Sequence, residues 1–302
     1  MTLPTANDAA RLNTSATAVA DATAPTPTST PAGGSFKAAA IQTVSGPDVS
    51  ANLAACATLI AEAAQSGAKL IGLPEYFGII GMRDRDKVDV REALGDGPIQ
   101  HFLAETARRH KVWLVGGSVP LVCDSPDKVW NASLVYDDGG NLVARYDKIH
   151  LFGFDNGREK YSEERTIAHG AQVVTVDSPF GRIGLSICYD LRFPELYRAF
   201  GDVDLIFVPS AFTETTGAAH WETLLRARAI ENLAYVVAPA QGGVHPNGRE
   251  THGNSMIIDP WGTILARRAK EPGVVIAEID PARLRETRTM LPALTHRTLR
   301  AV

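Results

Sequence analysis

The sequence contains few cysteines: only three in 302 residues, at positions 56, 123 and 188. An odd, sparse and widely spaced set does not form the disulfide framework that stabilises small secreted domains. A reducing compartment fits this usage, and a cytoplasmic location is therefore the expectation.

The sequence also lacks an excess of basic residues and any long apolar run. Lys and Arg total 30 against 34 Asp and Glu, a formal charge of −4. Nucleic acid is not expected as a partner, because phosphate binding needs clustered Lys and Arg. No membrane partner is expected, because no apolar run approaches the roughly 20 residues that span a bilayer. Nucleotide-binding glycine motifs and the His-Glu-x-x-His metal spacing are absent too.

Residues 1–35 contain no aromatic residue and are rich in Ala, Thr and Pro. Such a segment cannot bury enough apolar surface to fold, so it is predicted to be a disordered N-terminal tail. It lacks the basic start and continuous apolar stretch of a secretory signal. An organelle transit peptide remains the alternative. Residues 36–302 are predicted to form a single catalytic domain, since no linker interrupts them.

From residue 36 onward, short apolar strands alternate with amphipathic helices. Predicted strands are 36–42, 69–73, 112–116, 130–137, 142–146, 172–177, 181–187, 205–208, 235–240, 255–259 and 274–279, and predicted helices are 49–66, 99–110, 193–200 and 219–232. Gly67 is a natural helix stop, and the turn at 138–141 indicates a hairpin. This mixture of β-α-β units and hairpins favours a layered α/β domain with a mixed sheet.

Three reactive residues come directly after predicted strands: Glu75, Lys148 and Cys188. In open α/β sheets, sites gather at the carboxyl ends of strands. A carboxylate can take the proton of a thiol, and an ammonium can stabilise the oxyanion that thiol attack creates. The set therefore predicts nucleophilic catalysis by Cys188.

Each of these residues also has a structural interpretation. A free cysteine is often a buried core residue, and Cys56 and Cys123 keep that interpretation. Cys188 differs because a polar stretch, Tyr189 to Glu195, follows it. Glutamates and lysines are usually solvated, but Glu75 and Lys148 stand among apolar and aromatic neighbours, which favours their partial burial.

The segments LPEYF, YDKIHLFGF and SICYDLRFPELY together resemble the three catalytic blocks of the nitrilase, or carbon–nitrogen hydrolase, superfamily. The later stretches PSAFTETTGAAHWETLLRARAIEN and HGNSMIIDPWGTILAR resemble blocks of its Nit branch. The resemblance covers nearly all of residues 36–300. It implies a four-layer α-β-β-α sandwich, no metal or organic cofactor, and a homodimer or larger homo-oligomer as the active form.

The resemblance also implies roles for individual residues. Glu75 would be the general base, Lys148 the stabilising ammonium and Cys188 the nucleophile. Glu163 matches a second family glutamate that orients the lysine, with Glu164 beside it as the neighbouring candidate. The backbone N–H of Tyr189 would complete the oxyanion site. The implied reaction converts a small linear carboxamide to an acid and ammonia through a cysteine thioester.

The substrate is less narrowly indicated. Tyr76, Tyr189, Arg192 and His220 are the predicted oxyanion- and substrate-binding residues. Arg192 suits a substrate carboxylate, or a structural ion pair with Asp190 or Glu195. The segment 216–222 resembles both Nit-type amidase groups, which act on deaminated glutathione and on ω-amides of 2-oxo dicarboxylic acids. Segments 240–245 and 253–256 favour the first, although the loop 153–158 departs from both. Nitrile and N-carbamoyl substrates remain alternatives within the superfamily.

Two functions outside this class are alternatives. The stretch Gly184–Cys188 nearly matches the Gly-x-Ser-x-Gly motif of serine hydrolases, but its fifth residue is Cys where the sharp turn needs a small residue. A non-catalytic binding protein on the same scaffold is the other alternative, because a fold does not determine a function.

Overall fold

The computed structural model describes residues 34–299. The first 33 residues of the predicted N-terminal tail lie outside this range. Within it, no helix combines the length and apolarity needed to cross a bilayer.

The strands fall into two large sheets and two small hairpins. They are β1 (Phe36–Gln42), β2 (Ala68–Gly72), β3 (Trp113–Val115), β4 (Val119–Val122), β5 (Val129–Tyr136), β6 (Leu142–Asp147), β7 (Gly153–Asp155), β8 (Lys160–Ser162), β9 (Thr175–Ser178), β10 (Gly181–Leu185), β11 (Leu205–Phe207), β12 (Tyr235–Ala238), β13 (Gly242–Val244), β14 (Glu250–His252), β15 (Met256–Ile258), β16 (Ile264–Arg267) and β17 (Gly273–Ile279). The helices are α1 (Val49–Gln65), α2 (Asp86–Asp89), α3 (Pro98–His110), α4 (Pro194–Ala199), α5 (Glu214–Asn232) and α6 (Pro281–Met290).

Both large sheets are mixed. The first has the order β17-β1-β2-β3-β5-β4, with β6 also paired to β5; its neighbouring strands β1, β2 and β3 pair in parallel and its other pairs are antiparallel. The second has the order β16-β15-β12-β11-β10-β9, with β10, β11 and β12 parallel. The predicted mixed α/β character is confirmed, but it is divided between two sheets.

The alternation of side chains in β1 shows how the layers form. Ala39 and Ile41 pack into a cluster with residues of α1 and α3, whereas Ala38 and Ala40 point into a core shared with the second sheet, α4 and α5. Successive residues of a strand face opposite sides of the sheet, so β1 is apolar on both. The order of layers is helix, sheet, sheet, helix, as the resemblance implied.

Gly72, the last residue of β2, brings the two sheets close together near the predicted site. A Cβ atom at this position would lie 2.8 Å from the ring of Phe207 in β11, which is tighter than carbon atoms tolerate. Glycine therefore permits the close approach, and Glu75 follows three residues later.

Capping and turn residues explain where several elements begin and end. Helix α1 begins after Asp48, whose side chain accepts the N–H of Ala51, and stops just before Gly67 at φ 91°. The predicted hairpin joins β5 to β6, where Asp137 accepts the N–H groups of Gly139 and Asn141. Helix α5 begins five residues earlier than predicted.

Candidate active site

Glu75 lies in the segment that leaves β2, and its side chain is only 1% exposed. Oε1 accepts hydrogen bonds from Lys148 Nζ at 2.8 Å and from Asn131 Nδ2 at 3.0 Å. Oε2 is also buried, and no hydrogen-bond partner for it occurs among residues 34–299. A buried carboxylate oxygen normally has a partner. One oxygen of Glu75 is thus fixed, and the other is free to act on a group in the cavity.

Tyr76, the next residue, has a left-handed backbone with φ 57°. This conformation is unfavourable for a side chain of this size. It is held by the bond from the Tyr76 N–H to Ser118 Oγ at 3.0 Å. The turn sends the Tyr76 side chain toward Glu163, whose Oε1 accepts its hydroxyl at 2.7 Å.

Lys148 follows β6 directly, and its side chain is fully buried. Its Nζ contacts Glu75 Oε1 at 2.8 Å and Glu163 Oε2 at 2.7 Å. Burial alone would lower the pKa of Lys148, but the two carboxylates outweigh burial and raise that pKa above its ordinary value. The ammonium is therefore charged and held in one position.

Glu163 begins a short 3₁₀ turn, Glu163–Arg165, and its side chain is 13% exposed. Its Oε2 also accepts the N–H of Phe152 at 2.7 Å. Burial opposes ionisation of Glu163. The charge of Lys148 and the hydrogen bonds that Lys148, Phe152 and Tyr76 donate to the carboxylate nevertheless hold the pKa of Glu163 below its usual range. Glu164 is exposed. The structure thus brings Glu163, and not Glu164, to Lys148.

Cys188 opens a second 3₁₀ turn, Cys188–Arg192, just beyond β10. Its backbone is left-handed, with φ 51°, and its N–H donates to the carbonyl of Pro209 at 2.9 Å. Burial, together with the nearby carboxylate of Glu75, raises the pKa of the Cys188 thiol well above its ordinary value, although Lys148 opposes this. At neutral pH the thiol is protonated, so an attack by this sulfur needs a base.

Asp190 joins the cysteine turn to the lysine segment. Its fully buried carboxylate accepts the N–H of Ile187 at 2.8 Å and the hydroxyl of Tyr146 at 2.7 Å. It also accepts the N–H of His150 at 3.0 Å and lies 2.7 Å from the Nδ1 atom of that residue. One carboxylate therefore connects the residue before Cys188 to residues on both sides of Lys148.

A cavity opens beside these groups. It is lined by Glu75, Phe152, Glu163, Cys188, Tyr189, Arg192, Ala211, Phe212, Thr213, Thr216 and Arg249. We call it the catalytic cavity. Its walls combine apolar rings with a few converging polar groups, as small-molecule sites do.

Arg192 contributes a guanidinium to this cavity. The group lies 5.7 Å from the ring of Tyr189 and 5.3 Å from that of Phe212, and its Nη1 is 3.2 Å from His220 Nδ1. In the described part of the chain no carboxylate lies within 4 Å of it, so the alternative ion pair with Asp190 or Glu195 does not form. His220 is exposed and does not line the cavity.

Ser186, the residue on which a serine hydrolase would depend, is fully buried. Its hydroxyl donates to the carbonyl of Phe207 at 2.9 Å and accepts the hydroxyl of Tyr197 at 2.9 Å. It is absent from the lining of the catalytic cavity. The geometry does not favour that alternative.

Several residues of the site were not predicted from the sequence. Asn131 had a detectable signal, since it is an amide within the mostly apolar strand β5. Arg249 and Thr213 come from distant loops and had none. Among residues 34–299, no cluster of three or more His, Cys, Asp and Glu side chains is arranged to hold a metal ion.

Comparison with known proteins identifies the family. The profile of the family described as carbon-nitrogen hydrolase matches residues 37–289. The chain belongs to this family. A deaminated glutathione amidase of Synechocystis is 43% identical over 268 residues, which cover 87% of this chain and 98% of the relative. The human protein of that name is 40% identical over 266 residues, or 86% of this chain and 81% of the relative.

The fold of this carbon-nitrogen hydrolase agrees with that of solved relatives. Saccharomyces cerevisiae Nit3, described as a member of branch 10 of the nitrilase superfamily, superposes with a TM-score of 0.78 at 31% identity. The match covers 86% of this chain and 95% of Nit3. The predicted resemblance and the predicted α-β-β-α sandwich are confirmed. The family and its amidase members support hydrolysis of carbon–nitrogen bonds by this chain.

Proposed function

We propose that this carbon-nitrogen hydrolase cleaves a small linear carboxamide through a thioester on Cys188. One observation carries the proposal. Glu75 and Cys188 line the same cavity, and Glu75 has one buried oxygen without a partner in the described residues while its other oxygen is bound to Lys148. A base, a nucleophile and a cation with these contacts have the roles that acyl transfer needs.

In the first half-reaction, Glu75 Oε2 takes the proton of the Cys188 thiol as the sulfur attacks the amide carbon. The carbonyl oxygen becomes an oxyanion, which Lys148 Nζ and the N–H of Tyr189 stabilise. The carbon–nitrogen bond then breaks, and Glu75 returns the proton to the departing nitrogen. The products are a free amine, or ammonia from a primary amide, and a thioester on Cys188.

In the second half-reaction, Glu75 takes a proton from a water molecule that attacks the thioester carbon. The carbon–sulfur bond breaks, the sulfur recovers its proton from Glu75, and the acid is released. Glu163 keeps Lys148 aimed at the oxyanion in both halves. We class Glu163 as a positioning residue, because Lys148 stands between it and the reacting atoms.

Deaminated glutathione, or a related amide of a dicarboxylic acid, is the proposed substrate. The names of the relatives support this choice. So does Arg192, a guanidinium in the catalytic cavity without a carboxylate partner, because such a group binds carboxylates in bidentate fashion. A homodimer or larger homo-oligomer and a cytoplasmic location complete the proposal.

A substrate panel tests the proposal. The wild type would be assayed with deaminated glutathione, ω-amides of 2-oxo dicarboxylic acids, aliphatic nitriles and N-carbamoyl amino acids. Ammonia is the readout for all except deaminated glutathione, for which release of a primary amine is measured. We expect the highest kcat/KM for deaminated glutathione, and rapid quenching should trap an acyl adduct on Cys188 that mass spectrometry detects.

The controls separate the alternatives. Cys188→Ala should abolish turnover, whereas Cys56→Ala should not, because Cys56 is buried in α1 away from the cavity. Full activity of Cys188→Ala would refute the mechanism. No turnover of any panel member, with binding retained, would favour a binding protein. Light scattering of the purified chain tests the oligomeric state.

A further inference from the structure

A second cavity adjoins the catalytic cavity. It is lined by Tyr76, Asp84, Lys87, Phe152, Tyr161, Ser162, Glu163, Thr166 and Arg249. We call it the adjoining cavity. Phe152, Glu163 and Arg249 line both cavities, so the two cavities lie side by side.

Lys87 brings a cation without a partner of opposite charge to the adjoining cavity. Its side chain is half-buried, and Nζ donates to Thr166 Oγ1 at 3.3 Å and lies 5.4 Å from the centre of the Tyr76 ring. Among residues 34–299 no carboxylate lies within 4 Å of it. Burial lowers the pKa of Lys87, and the carboxylates of Glu163 and Asp84 only partly oppose this. Two of its three donors are thus available to a ligand.

Arg249 provides a second cation at the boundary of the two cavities. Its Nη2 donates to the carbonyl of Ala211 at 2.7 Å, and its guanidinium lies 5.2 Å from the ring of Tyr161. Its Nε is buried and has no hydrogen-bond partner within the described residues. No carboxylate in that part of the chain lies within 4 Å of it.

The acidic groups nearby do not neutralise these cations. Glu163 is bound to Lys148, Tyr76 and the backbone of Phe152. Asp84 lines the cavity, but it is exposed and makes no ion pair within 4 Å with Lys87 or Arg249. Two desolvated cations facing one cavity favour an anionic ligand there.

We propose that the adjoining cavity binds a second carboxylate of the substrate, with Lys87 and Arg249 as its ligands. The inference rests on the proposed function and narrows its substrate class. Arg192 lines only the catalytic cavity, whereas Lys87 lines only the adjoining one. The preferred substrate is therefore an amide with a carboxylate on each side of the scissile bond.

Binding measurements test this without depending on turnover. Titration calorimetry on Cys188→Ala would compare deaminated glutathione with the same molecule whose glycine carboxylate is capped as an N-methylamide. We expect the free acid to bind about 10- to 100-fold more tightly, the effect of one or two charge-assisted hydrogen bonds. Adding Lys87→Met should weaken this preference, because only Arg249 then remains to bind the carboxylate. The matched control Lys69→Met, at an exposed lysine of β2 outside both cavities, should keep it.

A variant that is expected to gain affinity excludes misfolding as the explanation of the result. Asp84→Asn removes the exposed acid of the adjoining cavity and should tighten binding of the free acid about two- to fivefold without changing that of the capped molecule. Equal affinities for the two ligands, or a preference that Lys87→Met leaves undiminished, would overturn the inference. Selective binding combined with no turnover by the wild type would overturn the proposed reaction and leave the carboxylate site standing.

Discussion

Replacing Glu163 by Gln tests how the lysine is positioned. The wild-type carboxylate accepts hydrogen bonds from Lys148, Tyr76 and the Phe152 N–H. A glutamine of the same shape can keep its oxygen toward Lys148 and Phe152, and its amide can donate to the Tyr76 hydroxyl, which rotates to accept. The substitution therefore removes one negative charge and preserves the local shape.

The expected loss of stability follows from these contacts. Breaking a buried ion pair costs about 3–5 kcal/mol when the remaining charge is left alone. Lys148 keeps Glu75 at 2.8 Å, so the cost should be that of one charge-assisted hydrogen bond, about 1.5–3 kcal/mol. At about 2–4 °C per kcal/mol, the melting temperature of Glu163→Gln should fall by about 3–12 °C. A lysine held by one carboxylate instead of two should also lower kcat/KM about 10- to 100-fold, which corresponds to about 1.4–2.8 kcal/mol of lost transition-state stabilisation.

The pH dependence gives a second, independent check. The folded-state pKa of Glu163 is lowered, so its stabilisation is present above its unfolded pKa and is lost as the pH falls through the folded value. The difference in melting temperature between wild type and variant should have its largest value at pH 7 and should decrease below about pH 4. Scanning calorimetry over this range measures it.

The neighbouring Glu164→Gln is the matched control, because Glu164 has the same chemistry and an exposed side chain. It should leave both the melting temperature and kcat/KM at their wild-type values. A Glu163→Gln protein that melts and turns over like this control would refute the positioning role of Glu163.

Three further predictions concern the rest of the site. Because the pKa of the Cys188 thiol is raised, its alkylation by iodoacetamide, measured by mass spectrometry, should accelerate about tenfold per pH unit from pH 7 to 9. An alkylation rate that stops rising near pH 7 would contradict this. Glu75→Gln should lower kcat about 10²- to 10⁴-fold, the usual contribution of a general base, and should lower the free energy of unfolding in urea by about 1.5–3 kcal/mol, as for Glu163→Gln, because it also removes a carboxylate from Lys148; near-normal turnover would exclude Glu75 as the base. Asp190→Asn leaves one acceptor oxygen for the donors of Ile187, Tyr146 and His150. The free energy of unfolding, measured in urea, should therefore fall by about 1–3 kcal/mol. An unchanged urea midpoint would show that these bonds contribute little.

Much of the fold was predictable because apolar strands leave a local signal. The strands of the two sheet centres, such as β1 and β12, were found as continuous apolar runs. The strands β7, β8, β13 and β14 were missed because they consist largely of polar residues or glycine, and β4 was missed because Pro120 interrupts it. Strand β16 was missed as well. The start of α5 was misplaced because Thr215, Thr216 and Gly217 have low helix propensity. Their helical state depends on the Thr213 cap and on packing against β14.

The sequence predicted the main residues of the site but not how the fold brings them together. Glu75 leaves the first sheet and Cys188 leaves the second, and no local pattern reveals that two sheets face each other. Lys148 follows an antiparallel edge strand, so the rule for carboxyl ends of parallel strands does not explain its place. Arg249 reaches the cavity from a loop beyond β13, a juxtaposition that only tertiary packing creates.

The shared carboxylate of Asp190 limits how this enzyme can be remodelled. Because one buried side chain anchors the segments of both Cys188 and Lys148, loop redesign that shifts one segment should also shift the other. Freedom to alter selectivity lies instead with other residues that line the cavity, such as Phe212, Thr216 and Arg249, none of which bonds to that anchor. Libraries that randomise these residues should retain folded, reactive variants far more often than libraries placed around residues 187–190.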